Sequence, residues 1–275
     1  MMNQYNIRRP CVAGQFYPDD PDELSSLISS FVAGKVTQKQ DVLGCFLPHA
    51  GYIYSGRVAA QTLSGVNIKD TVILLGPNHS GNGPAFSLMH QGYWQTPLGN
   101  IEIDSRSANL FLDGSKYLKA DTFAHADEHS LEVELPILQY FRKDFKIIPV
   151  TIKTDELGIL KIVAEELAGV IIKNNLKGSV MFIASSDMTH YEPQKSAEKK
   201  DALAIEAIIA LDEDKLDAAV KRLSISMCGF APAVVLLRAA RILGAKKGKL
   251  IKYQTSGDAS GDTSSVVGYA GITIY

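Results

Sequence analysis

Short apolar runs separated by stretches of helical spacing constrain this chain more than any other feature. The runs fall at residues 42–47, 71–75, 146–151 and 179–184. Thr71-Val72-Ile73-Leu74-Leu75 is apolar throughout, as expected of a strand covered on both faces. Helical spacing occupies residues 55–63, with Ser55 as N-cap. It returns at 128–141, with Leu131, Leu135 and Leu138 on one side. Further helices are predicted at 155–174, 196–210, 213–223 and 231–243, the last closed by Gly244 at its C′ position. Pro149 marks the end of its strand or a sheet edge. The Gly-rich stretch 86–103 reads as a β excursion carrying the only tryptophan, Trp94. The C-terminal residues read as two strands around a Gly/Ser/Asp loop at 255–265. Alternation of strand and helix, with no linker and no internal repeat, predicts one layered α/β/α domain over residues 1–275, with a mainly parallel or mixed sheet.

Composition narrows the function classes. A net charge of -2 gives no broad attraction to nucleic acid. No apolar stretch approaches the roughly 18 residues that a membrane helix needs. The opening Met1-Met2-Asn3-Gln4-Tyr5 lacks the apolar core of a signal peptide. Three cysteines, Cys11, Cys45 and Cys228, make no disulfide framework. We therefore expect a reduced, soluble, cytoplasmic protein.

In an open α/β sheet, ligands bind at the carboxyl ends of the strands. His49, His79 and His190 follow apolar strands, and Cys228 lies just before a predicted helix. Imidazole and thiolate are ligands that zinc, copper and iron prefer, so these groups can meet on one ion. Each also has a plainer reading: a histidine at a strand end, or a buried structural thiol. His190 stands three residues after Asp187. On a helical turn Asp187 would hold one imidazole nitrogen and free the other for proton transfer. The alternative is Asp187 bonding backbone amides in a local turn.

His125-Ala126-Asp127-Glu128-His129 matches the His-x-x-Glu-His pattern of inverted zinc proteases. It is short and sits at a predicted helix start, so it does not lead the reading; His125 is expected to be exposed. The loop at 256–262 is no P-loop and is expected to be a tight turn with Asp258 bonding amides. Tyr52, Tyr54, Trp94 and Tyr191 are candidate pocket-lining aromatics.

The chain resembles the Memo family along nearly its whole length. The resemblance rests on Arg9-Pro10-Cys11-Val12-Ala13-Gly14-Gln15-Phe16-Tyr17-Pro18, Pro48-His49-Ala50-Gly51-Tyr52, Gly76-Pro77-Asn78-His79, Thr96-Pro97-Leu98-Gly99, Glu128-His129-Ser130-Leu131-Glu132, Ser185-Ser186-Asp187-Met188-Thr189-His190 and Ser256-Gly257-Asp258. It implies a fold like that of the class III extradiol dioxygenases, which hold non-haem Fe(II) with two histidines and a carboxylate. By the same resemblance, His49, His79 and Cys228 would hold the metal, Cys228 taking the carboxylate's place. His129 would line the pocket beside His190 and Asp187 as proton-handling groups. Fe(II) is the expected cofactor, with Cu or Zn as alternatives. Two function classes follow. One is a metal-dependent oxidoreductase acting on a small phenolic or enediol substrate; the other is a non-catalytic protein binding a small molecule or peptide in the same pocket. Animal Memo proteins are linked to receptor signalling, whereas microbial relatives are associated with radical-SAM and AMMECR1-like proteins. Hydrolysis by a zinc-bound water is a third, weaker reading.

Overall fold

The computed structural model describes residues 7–32 and 38–275; the opening segment 1–5, read above for a leader, lies outside them. The elements run β1 (Ile7–Arg8), α1 (Pro21–Val32), β2 (Gly44–Leu47), α2 (Gly56–Leu63), β3 (Thr71–Pro77), β4 (Phe86–Leu88), β5 (Tyr93–Thr96), β6 (Gly99–Glu102), α3 (Ser105–Gly114), β7 (Lys119–Ala120), α4 (Glu134–Phe141), β8 (Lys146–Ile152), α5 (Leu157–Lys173), β9 (Val180–Ser185), β10 (His190–Glu192), α6 (Gln194–Ile209), α7 (Glu213–Leu223), α8 (Phe230–Ile242), β11 (Gly248–Thr255), α9 (Gly257–Ser260) and β12 (Val266–Ile274).

The large sheet is mixed, in the order β10-β12-β2-β9-β3-β8-β4-β7, with β11 also paired to β12. Its centre is parallel: β2 with β9, β9 with β3, and β3 with β8. These are the unbroken apolar runs, and β2, β3 and β9 are buried at every residue. Helices cover both faces, which is why the runs carry no polar alternation. Helices α3, α5 and α8 pack together, with α8 on β2, β3 and β9; α1, α2 and α4 form a second group, with α2 on β2, β11 and β12. The predicted β excursion at 86–103 divides: β4 joins the large sheet, and β5 and β6, with Trp94, form a small sheet with β1.

Three expectations are corrected. Pro149 lies neither at a strand end nor at an edge, because β8 runs between β3 and β4. The Lys153 amide donates to Ala85 on the β4 side. By strand alternation the nitrogen of Pro149 points the same way, beyond the last residue of β4, Leu88, where no ladder bond is lost. The helix expected at 128–141 starts only at Glu134, because the Glu128 side chain binds backbone amides and holds the preceding loop. Ser55 does occupy the N-cap position of α2, but its hydroxyl donates to Ala50 O and caps nothing. Helices α1 and α3 were not read from the sequence, although Asp20 and Asp104 both bond amides of the following first turn.

The Asp258 loop is the expected tight turn, its carboxylate accepting from the Thr255 amide at 2.6 Å. Gly244 closes α8 as expected. Its φ is +99°, and Ala245 N and Gly244 N donate to Ala240 O and Arg241 O, the paired bonds of a Schellman motif. A side chain at this φ is strained. We expect Gly244→Ala to lower stability by about 1–2 kcal/mol in urea unfolding with an unchanged m-value. A midpoint equal to wild type would show that the α8 terminus relaxes freely.

Candidate metal centre at the strand carboxyl ends

Because β2, β9 and β3 are parallel, their carboxyl ends open on one edge of the sheet, with Leu47 opposite Ser185. The chain leaves these ends through His49, Asp187 and His79. Three imidazoles gather there. The ring centroids of His49 and His79 are 5.4 Å apart and nearly perpendicular, at 73°. His49 and His129 are 5.5 Å apart at 81°. One nitrogen from each of the three rings lies within 4.8 Å of the others. His79 and His129, however, are stacked at 4.8 Å and 17°. Lone pairs of stacked rings lie in separate planes, so these two rings do not converge on one ion without rotation. His129 also leans on Phe16, at 5.0 Å.

Each of the other two rings is held from behind. Glu128 is fully buried and accepts from the ring Nδ1 of His79 at 2.9 Å, from the His79 amide and from the Ser130 amide. Burial raises the pKa of this carboxyl; the His79 ring and the two amides outweigh it and bring it down to about 2. His49 is buried, and its Nδ1 lies 2.7 Å from Ser185 Oγ. Outer-sphere partners of this kind orient a ligating imidazole and leave Nε2 for the ion. Burial, then the neighbouring His129 and His79, keep the His49 pKa well below the usual histidine range, so its ring is neutral.

Cys228 reaches His49 alone of the three: it is not among the ligand atoms that lie within 4.8 Å of one another. Its Sγ is 3.2 Å from His49 Nε2, and it accepts from the Asp187 amide at 3.3 Å. Gly229 makes this approach possible. A Cβ there would lie 2.2 Å from Ser186 Cβ and 2.3 Å from Ser185 O. Burial, and then the Asp187 charge, push the Cys228 thiol up, so without a cation it stays protonated, with His49 Nε2 at 3.2 Å and Asp187 O at 3.8 Å as its neighbours.

His190 stands at the rim, but Asp187 does not hold its ring. Its Nδ1 donates to Ser226 O at 2.9 Å and its amide to Ser226 Oγ. Asp187 instead accepts from the His49 amide at 2.9 Å and from that of Ala50. Asp187 therefore bonds backbone amides as the plainer reading had it, but those of a distant segment and not of a local turn, and the non-helical residues 186–189 do not align it with His190. Burial outweighs those amide bonds and pushes the Asp187 pKa up to about 7. Asp201, buried, braces the adjoining backbone by accepting from the Thr189 amide and hydroxyl and from Tyr253 OH.

His125 corrects a further expectation. It is fully buried, its ring edge-on to Trp94 at 5.7 Å and its Nε2 3.2 Å from Ser87 O. Burial lowers its pKa to about 4. His125 ends a 3-10 turn at Phe123–His125 and residues 126–129 are not helical, so the His-x-x-Glu-His pattern makes no zinc face. Of the candidate aromatics, Trp94 and Tyr52 are core, Tyr54 is half-buried, and Tyr191 stands open with a left-handed φ of 59°.

The sequence reading missed what braces the 128–133 loop. Arg8 is buried 4.4 Å over the Trp94 ring; it pairs with Glu132 and donates to His125 O and Glu128 O. Glu132 also accepts from the Cys11 and Val12 amides and Tyr17 OH. The signal was present: Cys11, Val12 and Tyr17 lie in one motif and Glu132 ends another.

Residues 8–273 match the family described as Memo-like protein. A MEMO1 family protein of Methanopyrus kandleri is 44% identical over 278 residues, covering 96% of this chain and 98% of its own length. Another, from Methanosarcina barkeri, is 42% identical and covers 98% of this chain and 100% of its own length. One from Aquifex aeolicus is 40% identical, with 97% and 98% covered. Among solved structures, an uncharacterised protein from Escherichia coli K12 is similar in fold alone. Its identity is 13% and its TM-score 0.50, over 82% of this chain and 98% of that one.

Two expected outcomes follow from the buried acids. Glu132→Ala leaves Arg8 buried without its counter-charge and should destabilise by about 3–5 kcal/mol in urea unfolding. A loss under about 1 kcal/mol would mean that the pair behaves like an exposed one. The Glu128 carboxyl is depressed in the folded protein, so its stabilisation is full above the unfolded value of 4.5 and lost as pH falls towards about 2. Glu128→Gln should flatten that acid limb of a stability–pH curve; identical limbs would refute the assignment.

Proposed function

Since the chain belongs to the Memo family, we propose that the strand-end cleft is a transition-metal site held by His49, His79 and Cys228. One observation carries the reading: His49 and His79 both have Nδ1 engaged by oxygen partners, while Cys228 Sγ faces His49 Nε2 at 3.2 Å. Two donors on one tetrahedral ion, at 2.0–2.1 Å for N and 2.3 Å for S, stand about 3.6 Å apart, so the pair needs only a small adjustment. The donor set suits Fe(II), and alternatively Cu or Zn, far better than Mg or Ca.

Any of these ions would supply a Lewis acid there, and iron or copper would add a one-electron couple. The chain's own residues do the rest. Glu128 and Ser185 hold the imidazoles in place. Cys228 loses its proton on ligation and brings one negative charge to the site. His190 donates Nδ1–H to Ser226 O, which leaves Nε2 as a proton acceptor at the rim. His129, its pKa lowered chiefly by burial, offers a neutral ring beside His79. Together these features support a metal-dependent oxidoreductase of the dioxygenase-like architecture. The thiolate donates more strongly than a carboxylate and is itself oxidisable, which disfavours ordinary catechol cleavage.

A second reading, binding of a small molecule or peptide without chemistry, is favoured by two large side chains open to solvent next to site residues. Ile53, in the turn after His49, is 69% exposed, and Tyr191, next to His190, is 78% exposed.

Protein purified anaerobically without chelator should carry close to one equivalent of iron, copper or zinc by elemental analysis. His49→Ala should lose it, and Cys228→Ser should lose any sulfur-to-metal charge-transfer band. Unchanged metal content in His49→Ala would place the site elsewhere. Rapid ring opening of a protocatechuate-type substrate by the aerated Fe(II) protein would contradict the role given to the cysteine.

A further inference from the structure

Beneath His49 lies a carboxyl group that takes no part in the reading above. Glu134 opens α4, and its side chain is fully buried. Its Oε1 is 2.9 Å from Ser185 Oγ. Its Oε2 is buried with no hydrogen-bond partner. No cation answers it: it makes no ion pair among the described residues, and the charged side chain nearest in effect, Asp187, has its own sign. The neighbouring Cys45 and Tyr52 are uncharged groups whose own pKa values are raised.

The protonation of this group can be counted. Ser185 Oγ makes three short contacts: His49 Nδ1 at 2.7 Å, Ser130 O at 2.7 Å and Glu134 Oε1 at 2.9 Å. Each needs a hydrogen between its heavy atoms. Ser130 O is a carbonyl and only accepts, so the single hydroxyl hydrogen of Ser185 goes there. The other two hydrogens come from the partners. His49 donates Nδ1–H to one lone pair of Ser185, and Glu134 donates its carboxylic O–H to the other. An ionised Glu134 would leave one contact without a hydrogen and a buried charge without a partner.

We propose that Glu134 is a neutral carboxylic acid that, through Ser185, positions His49 as its Nδ1–H tautomer with the Nε2 lone pair facing the cleft. The geometry makes it a positioning residue two bonds behind a metal ligand, the counterpart of the ionised Glu128 behind His79. The acid fills one lone pair of Ser185 and so keeps the hydroxyl hydrogen turned away from the imidazole. Burial, which raises the Glu134 carboxyl well above the usual range despite the Ser185 contact, agrees with the count. The consequence for metal binding rests on the function proposed above; the protonation state and tautomer do not.

The test uses the whole chain. Difference infrared spectroscopy of the metal-free protein, at a pH well above the value of about 7 to which Asp187 is raised, should show the C=O stretch of a protonated buried acid in wild type and not in Glu134→Gln. Nitrogen-15 NMR of the histidine side chains should show His49 protonated at Nδ1. A wild type without that stretch, or a His49 protonated at Nε2, would overturn the assignment. Added Fe(II) under anaerobic conditions, and Zn(II) separately, should bind Glu134→Gln about as tightly as wild type, because an amide N–H also donates to Ser185. Glu134→Leu, which cannot donate, should bind roughly 10–100-fold more weakly, as expected for loss of an outer-sphere partner. Equal affinity in Glu134→Leu would refute the positioning role. A wild type that shows both spectroscopic signatures but binds neither ion would refute the metal reading and leave the protonation and tautomer supported.

Discussion

The bond from the buried Glu128 carboxylate to His79 is the contact on which the cleft depends. It joins two loops far apart in sequence, the turn after β3 and the segment before α4. The same carboxylate takes the amides of His79 and Ser130, so it fixes backbone as well as ring. Buried away from water, such a group must be fully bonded or lose its charge. Glu128 is fully bonded, and its charge persists.

Two further acids follow on the same short segment, and each meets a different environment. Glu132 faces Arg8, three donors from the N-terminal motif and the edge of the Trp94 cluster, and it stays ionised as part of a buried pair. Glu134 faces a serine hydroxyl and, among the described residues, no cation. One segment therefore serves three ends: it holds His79, ties the N-terminal strand region to the site, and sits behind His49. Buried ion pairs add little net stability over an apolar core, but they fix which groups meet. That suits a segment whose work here is placement.

Most of the groups that line the cleft are uncharged. His49 and His129 are neutral through burial, Cys228 retains its proton, and the negative charge of Glu128 stands behind His79. Gly229 allows the 226–229 loop to press against the end of β9, and this sets the sulfur beside the imidazole. Strand ends, a glycine contact and three acids thus bring together groups from five separate parts of the chain.

Much of this was legible in the sequence, for physical reasons. Unbroken apolar runs announce strands covered on both faces, and helical spacing between them announces the layers; β2, β3, β8 and β9 lie where the runs stand. Turn and cap residues act locally, so Gly244 and the Asp258 loop could be read directly. His49 and His79 stood out because strand ends in such a sheet share one edge; Cys228, in the loop before α8, was a candidate from its residue type and its place before a helix. What the sequence left open depends on neighbours distant along the chain. Pro149 suits a central strand only because β4 ends before reaching it. Asp187 serves the His49 amide and not His190 because the loop between them is not helical. His125 is buried because Trp94 and Ser87 close over it. Glu128, Glu132 and Glu134 are the same residue type within one motif region, and nothing local assigns them different charges. Only the tertiary structure does, because a buried carboxyl takes its protonation state from the donors that reach it.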